Sequence, residues 1–155
     1  MKILITGRSG QVSQALQRNL KTGHELIVLG RDAMDLANEE AIRETVRRVQ
    51  PDLIINAAAY TAVDKAETDA EMAFKVNAEA PRILAEEAVA RAIPFIHYST
   101  DYVFDGDKNG PYRRRCYPSH QRIWRKQAGW RTGGTGRRWT ISDSTNQLGL
   151  LPGWP

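Results

Sequence analysis

An α/β fold with a parallel sheet covered by helices on both faces is what residues 1–105 predict, and three observations predict it. Four short, nearly continuous apolar segments recur along the chain. Segments with apolar residues at helical spacing separate them. Each apolar segment ends in small or polar residues, where a strand would leave a buried sheet.

The elements follow in order. Lys2–Thr6 is short, apolar and β-branched, and a glycine turn follows it, so it reads as a buried strand. Gln11–Lys21 brings Val12, Ala15, Leu16 and Leu20 to one helical face, and Gly23 stops that helix. Glu25–Leu29 is the second strand. Asn38 is placed to cap a helix running to Val49, with Ala41, Ile42, Thr45, Val46 and Val49 on its apolar face and Pro51 beyond its end. Asp52–Asn56 is the third strand. A long helical stretch runs from about Asp69 to Arg91, with a bend or restart at Pro81. Pro94–Tyr98 is the fourth strand. The series β-α-β-α-β-α-β predicts a Rossmann-like, doubly wound parallel sheet, incomplete at about four strands. After Pro111 the pattern collapses. The expected organisation is a partial nucleotide-binding domain over residues 1–112 and an irregular basic tail over 113–155.

Charge marks the same break. Residues 1–112 carry 13 Lys and Arg against 17 Asp and Glu, whereas residues 113–155 carry nine basic residues and only Asp143. All four Trp and half of the 12 Gly lie in the tail. No apolar run approaches the roughly 20 residues that span a bilayer. The apolar start, Ile3-Leu4-Ile5, is too short for a signal peptide. A single cysteine, Cys116, excludes an internal disulfide framework, so the cytoplasm is the expected compartment. His24, His97 and His120 have no metal-ligand spacing, and no metal site is expected.

The chemistry gathers where the strands end. Gly7-Arg8-Ser9-Gly10-Gln11-Val12-Ser13 follows the first strand and opens a helix. Glycine lets backbone approach a pyrophosphate, and a helix N-terminus offers free N–H groups and a favourable dipole. The spacing is Gly-x-x-Gly-x-x-Ser, with Ser13 as the small residue that helix–strand packing requires. Gly30-Arg31-Asp32 ends the second strand, where an adenosine ribose is read. Arg31 could accept a 2′-phosphate and Asp32 could accept from a 2′-hydroxyl; solvated loop charges are the plain alternative. The balance leans to NADPH over NADH. Asn56–Thr61 ends the third strand with small side chains that leave room for a cofactor, or that simply pack tightly. His97–Tyr102 ends the fourth strand with polar groups suited to a substrate carbonyl.

Taken together, these segments resemble the extended short-chain dehydrogenase/reductase superfamily, and within it the dTDP-4-dehydrorhamnose reductases. The resemblance rests on Ile5–Val12, on Pro51–Glu67, on Val76-Asn77 and on Ser99–Gly106, and it covers about residues 1–112. It implies hydride transfer from NADPH or NADH to C4 of a dTDP-linked 4-keto sugar, giving dTDP-L-rhamnose. It implies that Gly7, Gly10, Gln11 and Val12 hold the pyrophosphate and that Asp35 and Leu36 meet the adenine. Ala57, Ala59, Tyr60 and Thr61 would line the cofactor channel, with Tyr98 near the nicotinamide. Thr100 takes the position of the hydroxyl that orients the substrate carbonyl, with Asp101 beside it. Homodimers are the assembly that the resemblance suggests for full-length relatives; a membrane or nucleic-acid partner is not expected.

The family also requires a Tyr-x-x-x-Lys pair, in which the lysine lowers the tyrosine pKa and the phenol supplies the proton. No tyrosine here has a lysine four residues on. A reading-frame slip near Tyr112 is the expected cause, and a truncated copy without activity is what it leads one to expect. With suitable codons, Ile123–Thr132 read one base later gives Tyr-Gly-Glu-Ser-Lys-Leu-Ala-Gly-Glu. The same shift of Arg113–Cys116 gives Glu-Asp-Asp and a small residue. From Trp139 to Leu150 it gives Gly-Arg-Tyr-Leu-Ile-Leu-Arg-Thr-Ser-Trp-Val-Tyr, a strand-like run. Two other readings compete: a nucleotide-binding module whose Arg- and Trp-bearing arm contacts nucleic acid, and another sugar-nucleotide epimerase or dehydratase.

Overall fold

The computed structural model describes residues 1–62 and 68–99, together with the backbone of 140–143. Strands β1 (Lys2–Thr6), β2 (Glu25–Leu29), β3 (Leu53–Asn56) and β4 (Phe95–Ser99) form where the apolar segments lie. A further strand, β5 (Thr140–Asp143), joins them. The sheet order is β2-β1-β3-β4-β5, and every pairing is parallel.

Strand β5 lies within the stretch expected to form an irregular tail. Sequence periodicity missed it because the segment has four residues and only one large apolar side chain, Ile141. Its pairing is supplied by the open edge of β4, whose backbone N–H and C=O groups template a neighbour. The rest of the predicted tail, with Cys116 and the Arg- and Trp-bearing runs, lies outside the described residues, as do Val63–Glu67 and Thr100–Gly106.

Helix α1 (Gln11–Leu20) follows β1, and α2 (Glu39–Val49) follows β2. Asn38 caps α2 as expected: its side chain accepts a hydrogen bond from the Ala41 N–H at 3.2 Å. Gln50 ends α2 in the left-handed conformation, φ 49°, and its N–H bonds back to the Val46 carbonyl. The long helix after β3 is built in three parts: α3 (Ala70–Phe74), a π-helical turn (Lys75–Glu79) and α4 (Ala80–Ala90). Pro81 stands in the first turn of α4, where the wider π-turn ladder precedes it and a missing N–H is tolerated.

The sheet buries both faces through the two-residue alternation of its strands. Leu4, Ile54 and Phe95 point to one side and pack with Ile42 and Val46 of α2 and Ile83, Leu84 and Ala88 of α4. Ile3, Ile5 and Ile55 point to the other, where Leu16 and Leu20 of α1 meet them. Among the described residues no helix is long and apolar enough to cross a membrane.

Candidate functional site

With β1 flanked by β2 and β3, the chain leaves β1 on one side of the sheet and β2 on the other. That reversal opens a crevice at the carboxyl ends of the strands, the place where ligands bind in open α/β sheets. A cavity of about 250 Å³ occupies it. Its floor is Thr6 and Gly7 from the end of β1. Leu29, Gly30 and Arg31 form one wall, and Ala58, Ala59 and Tyr60 form the other. Met34, Asp35 and Leu36 close one end, and Met72 and Val76 reach in from α3 and the π-turn.

Gly7 has φ +83°, and a Cβ there would stand 3.0 Å from the Ala58 backbone N and Cα. Any side chain would be strained in conformation and would also strike the loop after β3. The Gly7 and Arg8 N–H groups both donate to the Leu29 carbonyl, at 3.0 and 3.3 Å, so the loop is tied to the end of β2. Gly10 differs. A Cβ there would stand 3.4 Å from the Gly7 carbonyl oxygen and 3.9 Å from that of Ala57, ordinary contact distances, so the fold itself has room for one. Gly10 precedes α1, whose first turn has no side-chain cap. The orphan N–H groups of that turn are suited to an anion laid against them. Ser13 is fully buried, in keeping with the need for a small residue at that position.

Beneath the crevice lies a buried polar row. Thr6, Asn56 and His97 are register partners on β1, β3 and β4, and all three are at most 3% exposed. The Ala58 N–H donates to Asn56 Oδ1 at 3.2 Å, and the Thr6 hydroxyl donates to the same oxygen at 2.5 Å. That leaves Asn56 Nδ2 to donate to His97 Nδ1 at 3.1 Å. The row ties the glycine loop, the loop after β3 and the strand carrying Tyr98 into one rigid floor. A second clamp holds the wall. Asn77, 1% exposed on the π-turn, accepts from the Tyr60 N–H at 2.7 Å and donates to the Tyr60 carbonyl at 3.0 Å.

Of the residues singled out from sequence, Gly7, Arg31, Asp35, Leu36, Ala59 and Tyr60 line this cavity. Gly10, Gln11 and Val12 stand beside it at the start of α1, and Ala57 and Thr61 adjoin its lining in the loop after β3. Tyr98 is elsewhere: it packs with Ile3, Ile5 and Ile55 on the α1 face of the sheet. Thr100 and Asp101 lie outside the described residues. Asp35 is partly engaged, since its carboxylate accepts from the Ala37 N–H at 3.0 Å and faces Arg31 at 3.8 Å. Sequence reasoning passed over Met34 and Met72 and gave Val76, one of the residues that carry the resemblance, no place in the site; the three come together only through the packing of separate segments. It also passed over Arg8, whose guanidinium meets Asp32 at 2.9 Å. Among the described residues no group of three His, Cys, Asp or Glu could hold a metal ion.

Comparison with known proteins agrees with this arrangement. The family model for the RmlD substrate binding domain matches residues 1–121. The dTDP-4-dehydrorhamnose reductase of Burkholderia thailandensis is 48% identical over 112 residues, which is 72% of this chain and 38% of that protein. The crystal structure of a hypothetical dTDP-4-dehydrorhamnose reductase from Sulfolobus tokodaii superposes with a TM-score of 0.82 at 34% identity, over 92% of this chain and 55% of that one. The dTDP-4-dehydrorhamnose reductase of Bacillus anthracis, solved in complex with NADP, gives 0.78 at 25% identity, over 92% and 52%. The chain thus spans about 38% of the length of such curated relatives. With most of its length matched by one family model, the chain belongs to the RmlD substrate-binding-domain family, and the proteins it resembles there are dTDP-4-dehydrorhamnose reductases.

Proposed function

We propose that this domain binds NADPH or NADH in the crevice between β1 and β3, and that its family chemistry is reduction of a dTDP-linked 4-keto sugar at C4. The observation that carries the reading is Gly7. Its positive φ and its 3.0 Å approach to Ala58 build a loop with no side chain beneath an uncapped helix end, as a pyrophosphate requires. Gly10, Gln11 and Val12 continue that loop. Asp35, Leu36 and Met34 would enclose the adenine end. Ala57, Ala59, Tyr60 and Thr61 would flank the ribose and nicotinamide. The dinucleotide, when bound, supplies the hydride. Thr100 is assigned the hydroxyl that orients the substrate carbonyl, with Asp101 beside it.

Protonation of the new alkoxide needs an acid, and the written sequence has no Tyr-x-x-x-Lys pair to supply one. We therefore assign this chain cofactor affinity without efficient turnover, and we assign residues 113–155 to a shifted reading frame. Two measurements on the 155-residue chain test this. Nicotinamide fluorescence should report saturable binding of NADPH or NADH. Oxidation of NADPH in the presence of dTDP-4-dehydro-L-rhamnose should stay at background. Absence of binding sinks the nucleotide reading, and turnover at rates of about 1 per second or more sinks the inactive one.

A further inference from the structure

His97 is a buried histidine with no part in the chemistry proposed above. It stands on β4 as the register partner of Asn56 and is 3% exposed. Its ring lies parallel to that of Phe95, two residues earlier on the same face, with centroids 6.2 Å apart, which fixes the aim of Nδ1. Nδ1 is 3.1 Å from the Asn56 amide nitrogen. A primary amide has two unlike ends and can turn over. As it stands, Oδ1 accepts from the Thr6 hydroxyl and from the Ala58 N–H. Turned over, Nδ2 would face the Ala58 N–H, donor against donor, and Oδ1 would face His97. A hydroxyl can donate or accept, so Thr6 does not choose between the two arrangements. An imidazole nitrogen does choose. An unprotonated Nδ1 can only accept, so it admits only the arrangement in which Oδ1 serves Ala58.

We propose that His97 is a positioning residue for the crevice: its unprotonated Nδ1, with the ring proton on Nε2, locks the Asn56 amide so that Oδ1 holds the loop after β3. Ala58 carries the effect into the cavity. It is a wall residue, and a Cβ on Gly7 would stand 3.0 Å from its backbone, so the glycine loop abuts it directly. Released from Asn56, Ala58 would loosen both the wall and the support of that loop. The consequence for nucleotide affinity rests on the dinucleotide reading above; the consequence for the loop does not.

The test compares two substitutions of nearly the same shape in the 155-residue chain. Leucine and asparagine both delete the ring, but asparagine can place Oδ1 where Nδ1 stood, and leucine has no acceptor. A role in packing alone predicts that leucine suits the buried position at least as well as asparagine does. Positioning predicts the reverse. In His97→Leu the Ala58 amide should exchange roughly tenfold faster or more, relative to the amide of Val46 on α2, which reports opening of the domain as a whole. NADPH, followed by nicotinamide fluorescence, should bind that variant about tenfold more weakly. His97→Asn should restore both quantities to within about threefold of the parent. Nitrogen chemical shifts of the parent's imidazole, which need no variant to fold, should show Nε2 protonated and Nδ1 unprotonated at neutral pH. A proton on Nδ1 overturns the assignment, as does a leucine variant that matches or surpasses the asparagine one. Failure of the parent to bind NADPH overturns the nucleotide reading alone, and Ala58 exchange then still decides the role of His97.

Discussion

At Gly7 the backbone has no room for a side chain, whereas at Gly10, three residues on, it has. A Cβ on Gly7 meets the Ala58 backbone at 3.0 Å with φ at +83°; one on Gly10 meets two carbonyl oxygens no nearer than 3.4 Å. Gly7→Ala should therefore destabilise the domain by about 2 kcal/mol, read as a lower urea midpoint at unchanged slope. Gly10→Ala should move stability by less than about 1 kcal/mol. If Gly10 serves a ligand and not the fold, the same change should weaken dinucleotide binding by tenfold or more, roughly 1.4 kcal/mol; equal loss of stability at both positions would refute the distinction. Asn56 is the other single residue on which much depends. Asn56→Leu removes the acceptor of the Thr6 hydroxyl and the Ala58 N–H, and the donor to His97. Leaving such groups buried should cost about 3 kcal/mol in chemical denaturation. The glycine loop was legible in the sequence because its conformational demand is local. The Thr6–Asn56–His97 row was not, because three polar residues in three apolar strands meet only once the strand register is set.

The helix between β3 and β4 shows what sequence could and could not say about an element. Its extent was predicted to within a residue or two, because helical spacing and Pro81 mark it. Its π-turn was not, since nothing in Lys75–Glu79 announces one extra residue in the ladder. The turn presents Asn77 to both backbone groups of Tyr60, so Asn77→Ala should loosen the loop that walls the cavity. Amide exchange at Tyr60 should accelerate by an order of magnitude or more, about 1.4 kcal/mol of local protection; unchanged exchange would show that the clamp does not hold the loop. Helices α2 and α4 are joined by charge as well as by Ile42, Val46 and Leu84. Arg43 of α2 donates to Glu86 at 2.7 Å and to Glu87 at 3.2 Å, and Glu87 is nearly fully buried. Burial alone would raise the Glu86 pKa, but hydrogen bonds from Arg43 and Arg82 outweigh it and hold the carboxyl below its ordinary value of 4.5. A carboxyl so held binds fewer protons folded than unfolded. Its contribution is present above the unfolded value and is lost as pH falls through the lower, folded one. Glu86→Gln should thus destabilise at pH 7, and the gap to the parent should close as pH drops below about 4. A gap that stays constant to pH 3 would mean that shape, not charge, is what the substitution removed.

On the scale of the molecule, the sheet itself bears on the reading frame. Strands β1 to β4 pack apolar side chains on both faces of the sheet, and β4 offers its far edge to a further parallel neighbour. In the written sequence that neighbour is Thr140–Asp143, whose composition, Thr-Ile-Ser-Asp, is poor for a strand buried on both sides. Read one base later with suitable codons, Thr140–Asp143 would give Arg-Tyr-Leu-Ile, a more apolar run for such a strand. The proposed shift would thus put a more apolar strand where the topology has a slot for one. The same proposed shift would create Tyr-x-x-x-Lys in the stretch beginning at Ile123, which lies between β4 and β5 in the sequence. It follows that deleting or inserting one base near codon 112, chosen to restore this frame through the downstream sequence, should act on stability and activity together. The restored protein should unfold cooperatively at a higher temperature than the 155-residue chain. It should also oxidise NADPH in the presence of dTDP-4-dehydro-L-rhamnose, and replacing the tyrosine of the recovered pair by phenylalanine should lower kcat by about 100-fold or more. Dinucleotide affinity, set by residues already present, should change less than turnover does. If the restored frame instead closes on a stop codon before the Tyr-x-x-x-Lys pair, the shift is not the origin of the tail. The basic segment would then be native sequence, and its salt-dependent binding to single-stranded nucleic acid would become the property to measure.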